Sequence, residues 1–380
     1  MEFNLIKQLN PRSLFIYLYV FFNEFSFFMV LPHIAISSGA NAFQIGSLFT
    51  YAVILESFLM IFLSGWIKTI KVGTLYLIAP LLFGLSYFSL IKLDGIEAFY
   101  MFFTIMSVAK SLGKPFSRTA LSLVSTNKDR IFINISLVQN LAIVIAPLAG
   151  ALTLGSESGI YTFMLASYII FGVSSLIIFF RKNNVEIKGN DGPIFKGYKN
   201  IFTQSTFRCF SLGLFFSYVA MGIFITGIVS SSLYLPDLTP HVGLFFSVVG
   251  ITICFWQFYL SKTQLGSFIS QSKFAILAMI VFSALFFVGK LPLAILSIIA
   301  YGMFESVLIP RCYKGSTERL ADKYHNQAFA ILLVLANFGE ATGSFLTGVV
   351  INDFTSYARV ILGCSVVFMG LVIVQFTYKR

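Results

Sequence analysis

The sequence predicts an all-α membrane protein, with twelve transmembrane helices arranged as two pseudo-symmetric six-helix bundles. Three observations lead there. Apolar residues make up 57% of the 380 and charged residues only 11%, against about 25% charged in an ordinary soluble domain. Twelve apolar runs follow one another, each long enough or nearly so to cross about 30 Å of hydrocarbon as a helix. Lys and Arg collect in alternate connections between those runs. The 45 Phe and the mean hydropathy of +0.88 point the same way.

In order, the runs are 13–35, 43–66, 72–92, 96–117, 131–154, 159–180, 207–234, 242–261, 273–290, 292–311, 327–351 and 356–377. None alternates with period two, which argues against an outer-membrane barrel. Met1 to Arg12 reads as a short amphipathic lead-in without a cleavage site of small residues. The ninth and tenth runs are divided only by Lys290-Leu291-Pro292, so a re-entrant segment there would change the count. With both termini in the cytoplasm, twenty-one of the 26 Lys and Arg fall on the inner side. Only Lys92, Lys290 and Arg359 fall outside, and Lys110 and Lys114 lie within a run. Losing one span would scramble that split. The expected location is a cell membrane, the inner one if the cell is bacterial, with both ends cytoplasmic.

The longest polar stretch, Arg181 to Arg208, contains Asn183-Asn184 and Gly189-Asn190-Asp191-Gly192-Pro193. It reads as a cytoplasmic linker, 181–206, between a first bundle at 1–180 and a second at 207–380. The halves share landmarks at a fixed offset of 195 residues: Lys110, Pro115 and Lys128 match Glu305, Pro310 and Lys323. Duplicated halves are the usual build of secondary transporters.

Several function classes fall away. The net charge of +11 is accounted for by membrane orientation, so no nucleic-acid partner is expected. The four cysteines are scattered without Cys-x-x-Cys spacing, which gives neither a zinc site nor a disulfide framework. No phosphate-binding loop or ATPase-sized soluble segment is present. The outer loops are too short for the catalytic loop of a membrane transferase, and a signalling domain is missing. No enzyme activity and no cofactor are expected.

Charged side chains near a bilayer centre cost at least about 2.5–3.5 kcal/mol each on insertion scales and so need partners, water or a task. Glu24, Glu56, Glu305 and Glu340 fall inside runs, as do Lys110 and Lys114, four residues apart and so on one helical face. Arg118 continues that stripe to a membrane edge where it can snorkel. The lysines form either a cationic wall for an anionic group or fixed ion pairs that dock helices. Glu24, beside Asn23, is the first candidate for a proton-binding carboxylate, because burial and a nearby lysine pull it in opposite directions. Glu305 is the second. Glu56 and Glu340 are equally open to a structural reading. Asn140, Tyr218 and Trp256 are further cavity candidates, with core packing the simpler account of the two aromatics. Ala142, Ala146 and Gly150, like Gly339 and Gly343, are small-residue stripes for close helix approach.

The layout resembles the major facilitator superfamily over nearly the whole chain. Gly65-Trp-Ile-Lys68-Thr69-Ile-Lys71-Val-Gly73 looks like that family's signature after the second span, with Thr69 roughly where the family has Asp. Ala146-Pro147-Leu-Ala-Gly150 is similar to the Gly-Pro-x-x-Gly element of its exporters, and Lys110 followed by Gly113 to their fourth-span basic element. The resemblance implies spans one, four, seven and ten lining a central cavity, with Glu24, Lys110, Lys114 and Glu305 facing it. It gives Gly65, Lys71, Pro147 and Gly150 gating or packing roles. It also implies two bundles rocking about a midplane site. The expected partners are protons, membrane lipid and a small organic solute of siderophore, drug, amino-acid or peptide character, handled by a monomer. A lipid-linked saccharide flippase and a solute importer stay open beside an exporter.

Overall fold

In lipid, a backbone must satisfy its own polar groups, so apolar runs fold as helices. The computed structural model describes residues 11–37, 39–66, 69–93, 95–124, 128–152, 186–188, 200–231, 233–235, 237–260, 263–318, 320, 325–351 and 356–378, with isolated positions 165, 169 and 172. The first half contains α1 (Pro11–Ser37), α2 (Ala42–Trp66), α3 (Val72–Lys92), α4 (Gly95–Val124) and α5 (Lys128–Leu152). The second contains α6 (Ser205–Ser231), α7 (Val242–Leu260), α8 (Gln264–Gln271), α9 (Lys273–Ser283), α10 (Leu291–Thr317), α11 (His325–Ile351) and α12 (Ser356–Thr377). Each apolar run but one coincides with a helix. The sixth, 159–180, lies outside the described residues except at Leu165, Ile169 and Gly172. Among the described residues, α2, α6, α7, α10, α11 and α12 are each long and apolar enough alone to cross a membrane.

The boundary between the ninth and tenth runs is built as a stop and restart. After α9 the chain tightens into a 3-10 turn, Ala284–Val288, ended by Gly289 at φ 80°. Only glycine takes that left-handed conformation without a steric cost. Lys290 is extended, and Pro292 sits in the first turn of α10, where no backbone N–H is needed. The stretch between the eighth and ninth runs holds the eight-residue helix α8. Thr263 caps it by accepting from the Gly266 N–H. Ser272 then caps α9, and the two axes bend by 79°.

The expected linker also carries secondary structure. Strand β1 (Thr69–Lys71) pairs antiparallel with β2 (Glu186–Lys188), setting Lys71 opposite Glu186 in register. The rest of the 181–199 stretch and Lys68 lie outside the described residues.

The helices pack in a pattern that repeats. In the first half α1 packs on α4 and α5, while α2 and α3 pack on α4; in the second, α6 packs on α10 and α11, while α7 and α9 pack on α10. Two seams join the halves, α2 against α11 and α5 against α7. Small residues permit the tight approaches. A Cβ at Gly150 would strike the Met29 carbonyl, and one at Gly343 the Val219 carbonyl. Large apolar side chains such as Phe58, Leu81, Phe255 and Phe274 lie exposed, as a bilayer-facing surface requires.

Candidate functional site

The charged side chains meet at the centre of the helices that carry them. Lys110 and Lys114 stand one turn apart on α4 and reach in two directions. Lys110 Nζ lies 3.9 Å from Glu24 Oε2 on α1, and 4.1 Å from the centre of the Phe27 ring, a cation–π arrangement. Lys114 Nζ lies 2.8 Å from Glu56 Oε1 on α2. Gln139 on α5 donates its amide to the other Glu24 oxygen at 3.1 Å. Lys110, Glu24 and Glu56 are all buried. The stripe read as a possible cationic wall is therefore met by two carboxylates, and the ion pairs tie α4 to α1 and α2.

The second half supplies acid without base. Glu340 on α11 lies within electrostatic reach of Lys114, Glu56, Lys110 and Glu24. Glu305 on α10 feels Glu340. Among the described residues neither Glu305 nor Glu340 forms an ion pair. Tyr301, one turn before Glu305, brings its hydroxyl beside that carboxyl at a geometry short of a hydrogen bond. Its ring stacks on Phe224 at 4.0 Å. Tyr218 is half-buried on α6, with its Cβ against Gly339. Lys110 and Glu305 thus occupy α4 and α10, the helices that play matching parts in the two packing patterns.

A cavity of about 10 Å³ opens between α1, α4 and α5, lined by Asn23, Lys114, Ser117 and Gln139 among others. That is about the space one water needs. The Asn23 carbonyl is buried and has no donor, the kind of atom a polar guest satisfies. Asn140, next to Gln139, reaches the other way and donates to Gln257 of α7 at 3.4 Å. Trp256 packs edge-on against Phe255 and Tyr259. The role of Gln139 was not read from the sequence, whereas Gln257, like Trp256, stood as a residue that could bond a ligand or simply pack. Two adjacent amides, Gln139-Asn140, inside an otherwise apolar run were the available signal.

Of the candidate gating residues, Pro147 lies within α5, and its carbonyl faces Gly243 of α7. Gly150 offers its carbonyl to His33 Nε2 at 3.1 Å. Gly65 lies at the end of α2, and Lys71 ends β1. Among the described residues no cluster of His, Cys, Asp or Glu is arranged to hold a metal ion.

The family model described as Major Facilitator Superfamily matches residues 13–267, about two-thirds of the chain. The chain belongs to that family. No curated protein sequence matches it. Solved structures share its fold at low identity. A POT family transporter in complex with a thioalcohol-conjugated peptide superposes with a TM-score of 0.75 at 15% identity, covering 97% of this chain and 96% of that one. The nucleoside transporter NupG gives 0.67 at 16%, with 98% and 100% covered. A bacterial homolog of the human lysosomal transporter Spinster, inward-facing and unoccupied, gives 0.69 at 12%, with 97% and 96% covered. The chain is a multi-pass membrane transporter, not an enzyme.

Proposed function

We propose that the protein is a proton-coupled secondary transporter that exports a small organic solute by alternating access, with Glu24 as the residue that takes and releases the proton. One observation carries this reading. A buried carboxylate on α1 is held between a lysine 3.9 Å away and an amide donor at 3.1 Å. Protonating Glu24 weakens its attraction for Lys110 and leaves that ammonium to seek another anion. The Gln139 bond can persist to either form of the carboxyl. Glu305 and Glu340, on the other bundle, are the next carboxylates to which a proton can pass. Export is supported by the Ala146-Pro147-Leu148-Ala149-Gly150 element, and the solute is of siderophore, drug, amino-acid or peptide type. A flippase for lipid-linked saccharides would be better served by a cationic cavity, and here both lysines already have glutamate partners. The 1–180, 181–206 and 207–380 division is part of the proposal, with β2 extending the first bundle's contacts into the linker.

Proteoliposome transport under an imposed pH gradient tests the coupling. Glu24→Gln is expected to abolish gradient-driven transport while preserving solute exchange, because Gln keeps hydrogen-bonding capacity but cannot release a proton. Full gradient-driven transport by Glu24→Gln removes Glu24 from the mechanism.

A further inference from the structure

Two side-chain hydrogen bonds between the bundles are one arrangement built twice. On the α2/α11 seam Thr50 Oγ1 donates to the Ala341 carbonyl at 3.0 Å. On the α5/α7 seam Ser247 Oγ donates to the Val144 carbonyl at 2.6 Å. Each hydroxyl shares its proton with the carbonyl one turn back on its own helix, Gly46 O at 2.8 Å and Gly243 O at 3.1 Å. Those two glycines are also points of close approach. A Cβ at Gly46 would stand 2.7 Å from Gly348 Cα and Ser344 O, and one at Gly243 would stand 2.7 Å from Ala151 Cβ and Pro147 O. Every member of one seam maps to the other at a single offset: 46 to 243, 50 to 247, 144 to 341, 147 to 344 and 151 to 348.

The placement is as regular as the chemistry. Both hydroxyls lie toward the ends at which α2 and α7 begin, and so on one side of the charged centre. Glu56 follows Thr50 farther along α2, about 9 Å on at 1.5 Å per residue. Glu340 directly precedes the acceptor residue Ala341, and Asn140 lies one turn before Val144. A hydroxyl already engaged on its own helix makes a shared, breakable bond across the seam. Such a contact suits a joint that must close and reopen.

We propose that Gly46 with Thr50 and Gly243 with Ser247 form a single two-point gate. It closes the end of the cavity at which α2 and α7 begin, and Thr50 and Ser247 are positioning residues that set how often it opens. Because the bundles move as bodies, a bond lost at one seam loosens the other. The proposal rests on the two-bundle fold and not on the coupling ion or solute, so its test needs neither.

The probe is Phe28→Cys, in a chain whose Cys209, Cys254, Cys312 and Cys364 are replaced by serine. Phe28 is buried, with its ring 6.1 Å from that of Phe246 on α7. Its labelling by a membrane-impermeant maleimide, applied to right-side-out and to inverted vesicles, reports the open fraction at that end. Thr50→Val and Ser247→Ala are each expected to raise the labelling rate about threefold, and the pair about tenfold. Thr50→Ser, which keeps the hydroxyl, should label at the parent rate. Should Thr50→Val fail to accumulate, Thr50→Ala reads the same bond. The decisive variant is at Thr50, which lies on the opposite seam from the α7 contact being probed. An unchanged Phe28→Cys rate in the Thr50 variants, with Ser247→Ala raised, reduces each bond to local packing and overturns the shared gate. No change in any variant overturns it outright.

Discussion

The two bundles repeat one another in packing but not in charge. In the first, each lysine on α4 has a glutamate within 4 Å, one on α1 and one on α2. In the second, the helices matching α4 and α5 carry Glu305 and Glu340, and neither has an ion-pair partner among the described residues. Close backbone contacts hold both bundles together: a Cβ at Gly150 or at Gly343 would each strike a carbonyl of the helix it packs on. Charges in the interior answer to a different demand. In the first bundle the lysines and glutamates offset one another's charge, and in the second the carboxylates have no such counter-charge within ion-pair distance among the described residues.

The largest break in that comparison comes from leaving one charge alone. Lys114→Ala strands Glu56 in a buried site, which costs about 3–5 kcal/mol of stability. Thermal unfolding in detergent should register the loss. Replacing Lys114 and Glu56 together by Met should recover most of it, since a well-packed apolar pair is often neutral relative to a buried ion pair. Gln139→Ala should cost less, about 1.5–3 kcal/mol for a hydrogen bond to a charged group. The same melts are the measure, and Gln139→Glu, which sets a second acid against Glu24, should be worse than Ala. The smallest effect belongs to the second bundle. Glu305→Gln and Glu340→Gln should each change stability by less than about 1 kcal/mol, because no ion pair is broken. Their signature should lie in the pH dependence of transport in proteoliposomes. A large melting shift in either variant would mean that the second bundle is also built around its charges.

Much of the fold was legible in the residues. Apolar runs and the Lys/Arg asymmetry marked the helices, because length and charge placement are what a bilayer selects. Lys290-Leu291-Pro292 marked a break that Gly289 and Pro292 do make. The short helix α8 and the β1–β2 pair were not legible. Each depends on a few local hydrogen bonds in polar connections, where periodicity carries no signal. The charged candidates were identifiable singly, from the cost of burying them, but their pairing was not. Nothing in the chain order says that Lys114 takes Glu56 while Lys110 takes Glu24; helix rotation decides it. Internal duplication was sought in charges, Lys110 against Glu305, where the halves have diverged. It is written more fully in Gly46-x-x-x-Thr50 and Gly243-x-x-x-Ser247, whose small side chains draw little notice in an apolar run.

The pairing of β1 with β2 bears on how the chain is divided and made. Strand β2 lies beyond residue 180 yet is bonded to the connection between α2 and α3, in the register Thr69 to Lys188. During synthesis that connection therefore waits for more than a hundred further residues before its backbone finds a partner. A gene split at 180 and expressed as two fragments would place the strand on the wrong piece. A split after 188 would keep it with the helices it ties down.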